Sequence, residues 1–77
     1  MTLSFSFWVL RSATGFFGLR REVCTTPPFR TYEIPVYVDD PLSSKVKRFA
    51  GDDEARAFAA LRRMAATPHL VEVTVHD

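Results

Sequence analysis

Residues 51–76 read GDDEARAFAALRRMAATPHLVEVTVH, a helix pattern that runs straight into a strand pattern. Asp52, Asp53 and Glu54 stand where a helix N-terminus favours negative charge, with Gly51 or Asp52 available as N-cap. At about 100° per residue, Ala57, Phe58, Leu61, Met64 and Ala65 share one apolar face, while Arg56, Ala60 and Arg63 turn away and Arg62 flanks. The alanines favour helix, and Thr67-Pro68 stops it, so the spacing predicts a helix over Asp52–Ala66. The period then changes to two. Val71, Val73 and Val75 alternate with Glu72, Thr74 and His76, which predicts a strand over His69–His76.

Upstream, the period of two dominates. Leu3, Phe5, Phe7 and Val9 alternate with Thr2, Ser4 and Ser6, predicting a strand over Leu3–Ser12 with the apolar set inward. Ala13-Thr14-Gly15 is a turn in which Gly15 supplies positive φ. Phe17–Val23 returns as a second strand, with Phe17, Leu19 and Val23 inward and Gly18 marking a bulge. Thr25-Thr26-Pro27-Pro28 breaks it. A third strand runs over Arg30–Val38, with Tyr32, Ile34, Val36 and Val38 on one face, and Pro35 places it at a sheet edge. Asp39–Ser44 is a loop. Lys45–Phe49 reads as a short extra strand whose apolar contributions, Val46 and Phe49, fall on opposite faces.

The order β-β-β-(β)-α-β gives an α+β fold: a four- or five-stranded, mainly antiparallel sheet with one helix across one face. Phe5, Phe7, Val36, Phe58, Leu61 and Val73 are its expected core. The other face would stay open, carrying Ser4, Ser6, Trp8, Arg20, Glu22, Glu33 and Tyr37.

Length sets the scale. The 77 residues suffice for a single domain spanning 1–77, and a domain of this size buries only about 60–65 % of its unfolded surface. Seven Phe, two Tyr and one Trp supply the apolar bulk and exclude intrinsic disorder. A net charge of +1 excludes a polycationic tail and an acidic mimic of DNA. The single Cys24 excludes an internal disulfide and suits a cytoplasmic protein. Met1–Leu10 lacks the basic n-region of a signal peptide and alternates like a strand, so the chain reads as complete from Met1. No apolar run reaches the ~18–20 residues of a membrane span.

The chemistry-bearing residues favour binding over catalysis. His69 and His76 are seven apart on one strand, hence on opposite faces, and cannot share a metal or an acid–base pair. Cys24 follows Arg20 and Arg21, which would lower its pKa, but no base accompanies it. Asp52-Asp53-Glu54 matches a helix first turn rather than a metal loop, and Asp39-Asp40-Pro41 reads as a turn. Gly15 and Gly18 lie in a hairpin, without the helix N-terminus that phosphate binding uses. No catalytic, metal or cofactor residue is therefore assigned. The basic residues of the sheet half, Arg20, Arg21 and Arg30 with Lys47 and Arg48 as a second cluster, are the expected partner-binding set. Arg20 points outward and Arg21 is the structural member of its pair. Stacking of bases on Trp8, Tyr37 and Phe16 beside these cations would instead make a nucleic-acid-binding module.

The hairpin Leu3–Val23, the Arg-bearing strand Arg30–Val38, the Ala-rich helix Asp52–Ala66 and the closing strand Leu70–His76 together resemble the small anti-CRISPR proteins of phages and mobile elements. The resemblance is one of size and element order over most of the chain. It implies a non-enzymatic inhibitor in the host cytoplasm that binds a host protein complex, Cas proteins of a type I surveillance complex foremost, and occludes its DNA-binding surface. A monomer or weak homodimer is expected, since a sheet has two edges and an unpaired edge is a template for pairing.

Overall fold

The computed structural model describes residues 2–76; Met1 and Asp77 lie outside the described residues. Its elements are β1 (Thr2–Ser12), β2 (Gly15–Val23), β3 (Thr31–Val38), α1 (Asp52–Leu61) and β4 (Thr67–His76). The strands form one antiparallel sheet in the order β3-β2-β1-β4, with the helix against one face. The α+β class is as expected, and β3 is an edge strand, as Pro35 implies. Gly15 takes φ 131° after a two-residue loop, and the Ser12 hydroxyl donates to the Gly15 carbonyl at 3.0 Å while accepting the Thr14 N–H at 3.2 Å.

The sheet is split. β1 and β2 pair only beside their turn, at Arg11–Phe16 and Ser12–Gly15, and then diverge. The segment Lys45–Phe49 fills the opening. Trp8 N–H donates to Phe49 O (3.0 Å) and Phe49 N–H returns to Trp8 O (2.8 Å). On the other side, Leu19 N–H donates to Lys45 O (2.9 Å) and Lys47 N–H to Phe17 O (3.2 Å). The expected extra strand is therefore a wedge with isolated bridges, Val46 to Gly18 and Phe49 to Trp8, and not a fifth strand. Gly18 marks a close approach here rather than a bulge. Beyond the wedge the sheet continues as two arms, β1 with β4 and β2 with β3, which gives the molecule its 50 × 31 × 20 Å extent.

The wedge also divides the core. Phe49 joins Leu10, Phe17, Ala55 and Ala59 on the helix side, with Trp8, Leu19, Phe58 and Met64 packed against them. Val46 joins Phe7, Val9 and Val71 on the opposite face, flanked by Phe16, Val38 and Val73. Full burial of side chains of this size contributes roughly 1.5–3 kcal/mol each.

Several expected faces change. On β1 the helix covers Trp8 and Leu10, so Ser4 and Ser6, which share their face by alternation, are on the helix side. Glu33 and Tyr37 fall there too, while Arg20 and Glu22 face the other way; the expected open face is not a single surface. Alternation finds a strand but not which side the helix takes when both Phe7/Val9 and Trp8/Leu10 are apolar. Of the expected core, Phe7 is buried, but Phe5 is 45 % exposed because it lies out on the β1–β4 arm. Val36, Phe58 and Val73 are half-buried, and Leu61 is 86 % exposed.

The helix turns a different face to the sheet, which leaves Leu61 exposed. Its buried residues are Ala55 and Ala59, one turn apart, and their small side chains let the axis approach the sheet. The helix ends at Leu61, not Ala66, because Arg63 adopts φ 53°. Arg63 N–H then donates to Ala60 O (3.2 Å) and Met64 N–H to Ala59 O (2.9 Å), the paired bonds of a Schellman stop. Met64 folds back onto the core instead of extending a helical stripe.

Candidate functional site

The direction of each backbone N–H follows from the wedge. Leu19 N–H points at Lys45, so in the opposed pair Leu19–Pro35 neither residue bonds across the ladder, and the Pro35 nitrogen faces the outer edge. By the same reasoning Trp8 bonds Phe49, so its partner Leu70, and with it Pro68, presents its nitrogen outward from β4. Each outer edge thus carries a proline where a donor would be.

The β2–β3 arm carries three of the five expected binding residues, split between its two faces and its end loop. Arg20 and Arg21 stand on opposite faces of β2, and both are exposed. Arg20 forms a 2.8 Å ion pair with Glu22 on its own face. Arg21 sits opposite Glu33 in the register. Cys24 N–H donates to Arg30 O (2.9 Å), closing the arm's end loop and holding Arg30 at its tip. Phe29 is 71 % exposed at the arm's end, the exposed Tyr32 shares the Arg20 face and the exposed Val23 the Arg21 face, and Cys24, Pro27, Pro28, Arg30 and Tyr32 line a shallow depression. The aromatic half of this surface escapes the sequence reading. The available signal is Pro27-Pro28, which forces a loop and so puts Phe29 outside any strand.

Lys47 and Arg48 are elsewhere, on the wedge. The Lys47 ammonium lies 5.3 Å from the Phe49 ring centroid and 5.4 Å from that of Phe58, which also receives Arg62 at 4.5 Å. Arg48 covers Phe7 on the opposite face at 4.3 Å. The adjacent pair splits across the faces; both cations cap core aromatics at the sheet opening.

Several other polar residues have local partners. Cys24 Sγ is 3.3 Å from Thr26 Oγ1, and hydrogen bonding from the Thr26 side chain and backbone lowers the thiol pKa. The cause is Thr26, not Arg20 and Arg21. His69 packs against the Phe16 ring at 5.6 Å, and His76 Nδ1 is 3.4 Å from Thr2 Oγ1 at the far end of β4. Asp40 accepts the Leu42 N–H at 2.9 Å, a turn as read from the sequence, and Asp52 pairs with Arg56 at 3.6 Å within the helix. Trp8 lies under the helix, Tyr37 meets Phe17 at 5.9 Å, and Phe16 is on the other face, so these three aromatics do not form one stacking surface. Among the described residues no helix is long and apolar enough to cross a membrane.

Comparison of the chain with protein-family models, with curated proteins and with solved structures finds no match in any of the three.

Proposed function

We propose that the chain is a non-enzymatic binding protein that inhibits a host protein complex in the cytoplasm, using the end of the β2–β3 arm as its contact surface. The observation that carries the reading is the exposed pair Phe29 and Tyr32 at the end of the arm, with Arg30 lining one depression with Tyr32 and Arg20 on the Tyr32 face of the sheet. Exposed aromatics beside arginines are the composition of protein interface hot spots. The specific form is an anti-CRISPR protein acting on a type I surveillance complex, supported by the size and element order that resemble that group. An Arg-bearing patch does not replace DNA on a cationic channel. It fits an acidic or carbonyl-rich protein surface beside the channel, so inhibition would come from the bulk of the domain placed across the DNA path.

Titrating the chain into purified type I complex while measuring target-DNA binding tests the reading. Inhibition is expected, with Arg30→Glu and Tyr32→Ala each raising the half-inhibitory concentration about 30-fold, the effect of a hot spot of about 2 kcal/mol. Unchanged DNA binding at saturating chain overturns the anti-CRISPR form. Direct binding of free nucleic acid that weakens in equal steps as each Lys or Arg is removed, with a salt slope falling by about one per contact, makes the chain a nucleic-acid-binding module instead.

A further inference from the structure

We propose that the chain self-associates through the inner edge of β1, residues Thr2–Ser6 pairing antiparallel with the same residues of a second copy across a two-fold axis. This goes beyond the contact assigned to the β2–β3 arm and uses the other arm.

The edge exists because the sheet is split. Over Thr2–Phe7, β1 is paired to β4 alone, since β2 has diverged and the wedge reaches only Trp8. Trp8 turns its N–H and C=O toward the wedge. By the alternation of an antiparallel ladder, Ser6, Ser4 and Thr2 turn theirs to the same side, away from β4. Three donors and three acceptors in a row thus face the opening from an exposed strand.

Among the described residues four strand edges are free, and three are blunted. The outer edge of β3 has Pro35 and Glu33, and that of β4 has Pro68 and Glu72. The inner edge of β2 has Arg20, Arg21 and Glu22. Thr2–Phe7 has neither a proline nor a charge. Charged and proline-bearing edges resist pairing, so β1 is where pairing is left open.

The occupant is a second copy because the edge is complementary to itself. With Ser4 opposite Ser4 of the second copy, both exchange N–H···O bonds, and Thr2 meets Ser6 on either side with two bonds each. All three facing donors and acceptors are satisfied at once. Neutral side chains bring no like charges together at the axis. The same register sets Leu3 against Phe5 of the copy. Leu3 is 61 % exposed and shares its face with Phe5, Val73 and Val75, so two copies join their apolar stripes across a continuous β4-β1-β1-β4 sheet.

Sedimentation of the full chain between micromolar and millimolar concentration tests this. A monomer–dimer equilibrium is expected for the native sequence. Ser4→Pro removes one edge-facing N–H while Ser4 makes no ladder bond to Thr74, and it should raise the dimer dissociation constant at least tenfold with the circular dichroism unchanged. Should that variant unfold, Ser4→Lys, which sets two ammonium groups opposite each other, should do the same. In a Cys24→Ser background, Ser4→Cys should form an intermolecular disulfide at the two-fold, where opposed Cα atoms about 5.5 Å apart suit the bond, and Thr74→Cys should not. Monomer mass at millimolar concentration overturns the proposal. So does a dimer that Ser4→Lys leaves intact, which would place association at another surface.

Discussion

Gly18 lies against the backbone of Lys45: a Cβ on Gly18 would fall 2.8 Å from the Lys45 carbonyl carbon and 3.1 Å from the Val46 Cα. The obstacle is main chain on both counts, so no rotamer change relieves it. Gly18→Ala should push the wedge out of the split and destabilise the fold by about 3 kcal/mol, the upper range for overpacking. Urea denaturation measures it, and a loss under about 0.5 kcal/mol would show that the wedge can shift freely.

The observed helix orientation differs from the one the apolar stripe suggests, and two truncations separate them. Phe58 meets the rings of Phe17 and Phe49 at 5.5 and 5.3 Å, whereas Leu61 is in water. Phe58→Ala should cost about 2–3 kcal/mol, at or just below the low end for a buried phenylalanine because Phe58 is only half-buried. Leu61→Ala should stay within about 0.5 kcal/mol. Equal losses at both would restore the orientation in which Leu61 faces the sheet.

Arg63 holds the left-handed conformation that ends the helix, a position that costs a side-chain-bearing residue about 1 kcal/mol. Arg63→Gly should therefore raise the stability by about 0.5–1 kcal/mol, read as a higher denaturation midpoint at unchanged slope.

Thr26 lowers the Cys24 pKa by hydrogen bonding to its sulfur, so the thiolate appears at lower pH than in an unfolded cysteine. The pH midpoint of Cys24 alkylation should lie below that of the urea-unfolded chain, and Thr26→Val should move it upward. Cys24→Ser should leave inhibition of the host complex intact; loss of activity in a folded Cys24→Ser protein would point to thiol chemistry.

The strands were largely legible because alternation and turn residues are local: Gly15 for the hairpin, Pro27-Pro28 for the break, Pro35 for the edge. What local pattern could not give was depth. Phe5 and Phe7 share an alternation, yet only Phe7 is buried, because the wedge and its Arg48 reach one residue and not the other. Residues 62–66 keep helical composition, and nothing in it signals that Arg63 turns left-handed. The Val46/Phe49 conflict was the visible clue to the split, since residues on opposite faces fit a segment lying between two half-cores. At the candidate site, Arg20, Arg21 and Arg30 gather on one arm, while Lys47 and Arg48 are drawn to aromatic rings by contacts far apart in sequence.

β1 finds its long partner, β4, only after the hairpin, the wedge and the helix have all been made by the ribosome. Neither half-core closes earlier, because the wedge bonds Trp8 across 41 positions and Val71 completes the far face. Such non-local closure makes folding slow, on the order of milliseconds to seconds. During translation the neutral, β-prone run Thr2–Val9 is left without its partner. The same stretch that has no proline or charge in the finished fold is then the chain's main aggregation hazard in the nascent state, and Ser6→Lys should improve the yield of soluble protein for that reason.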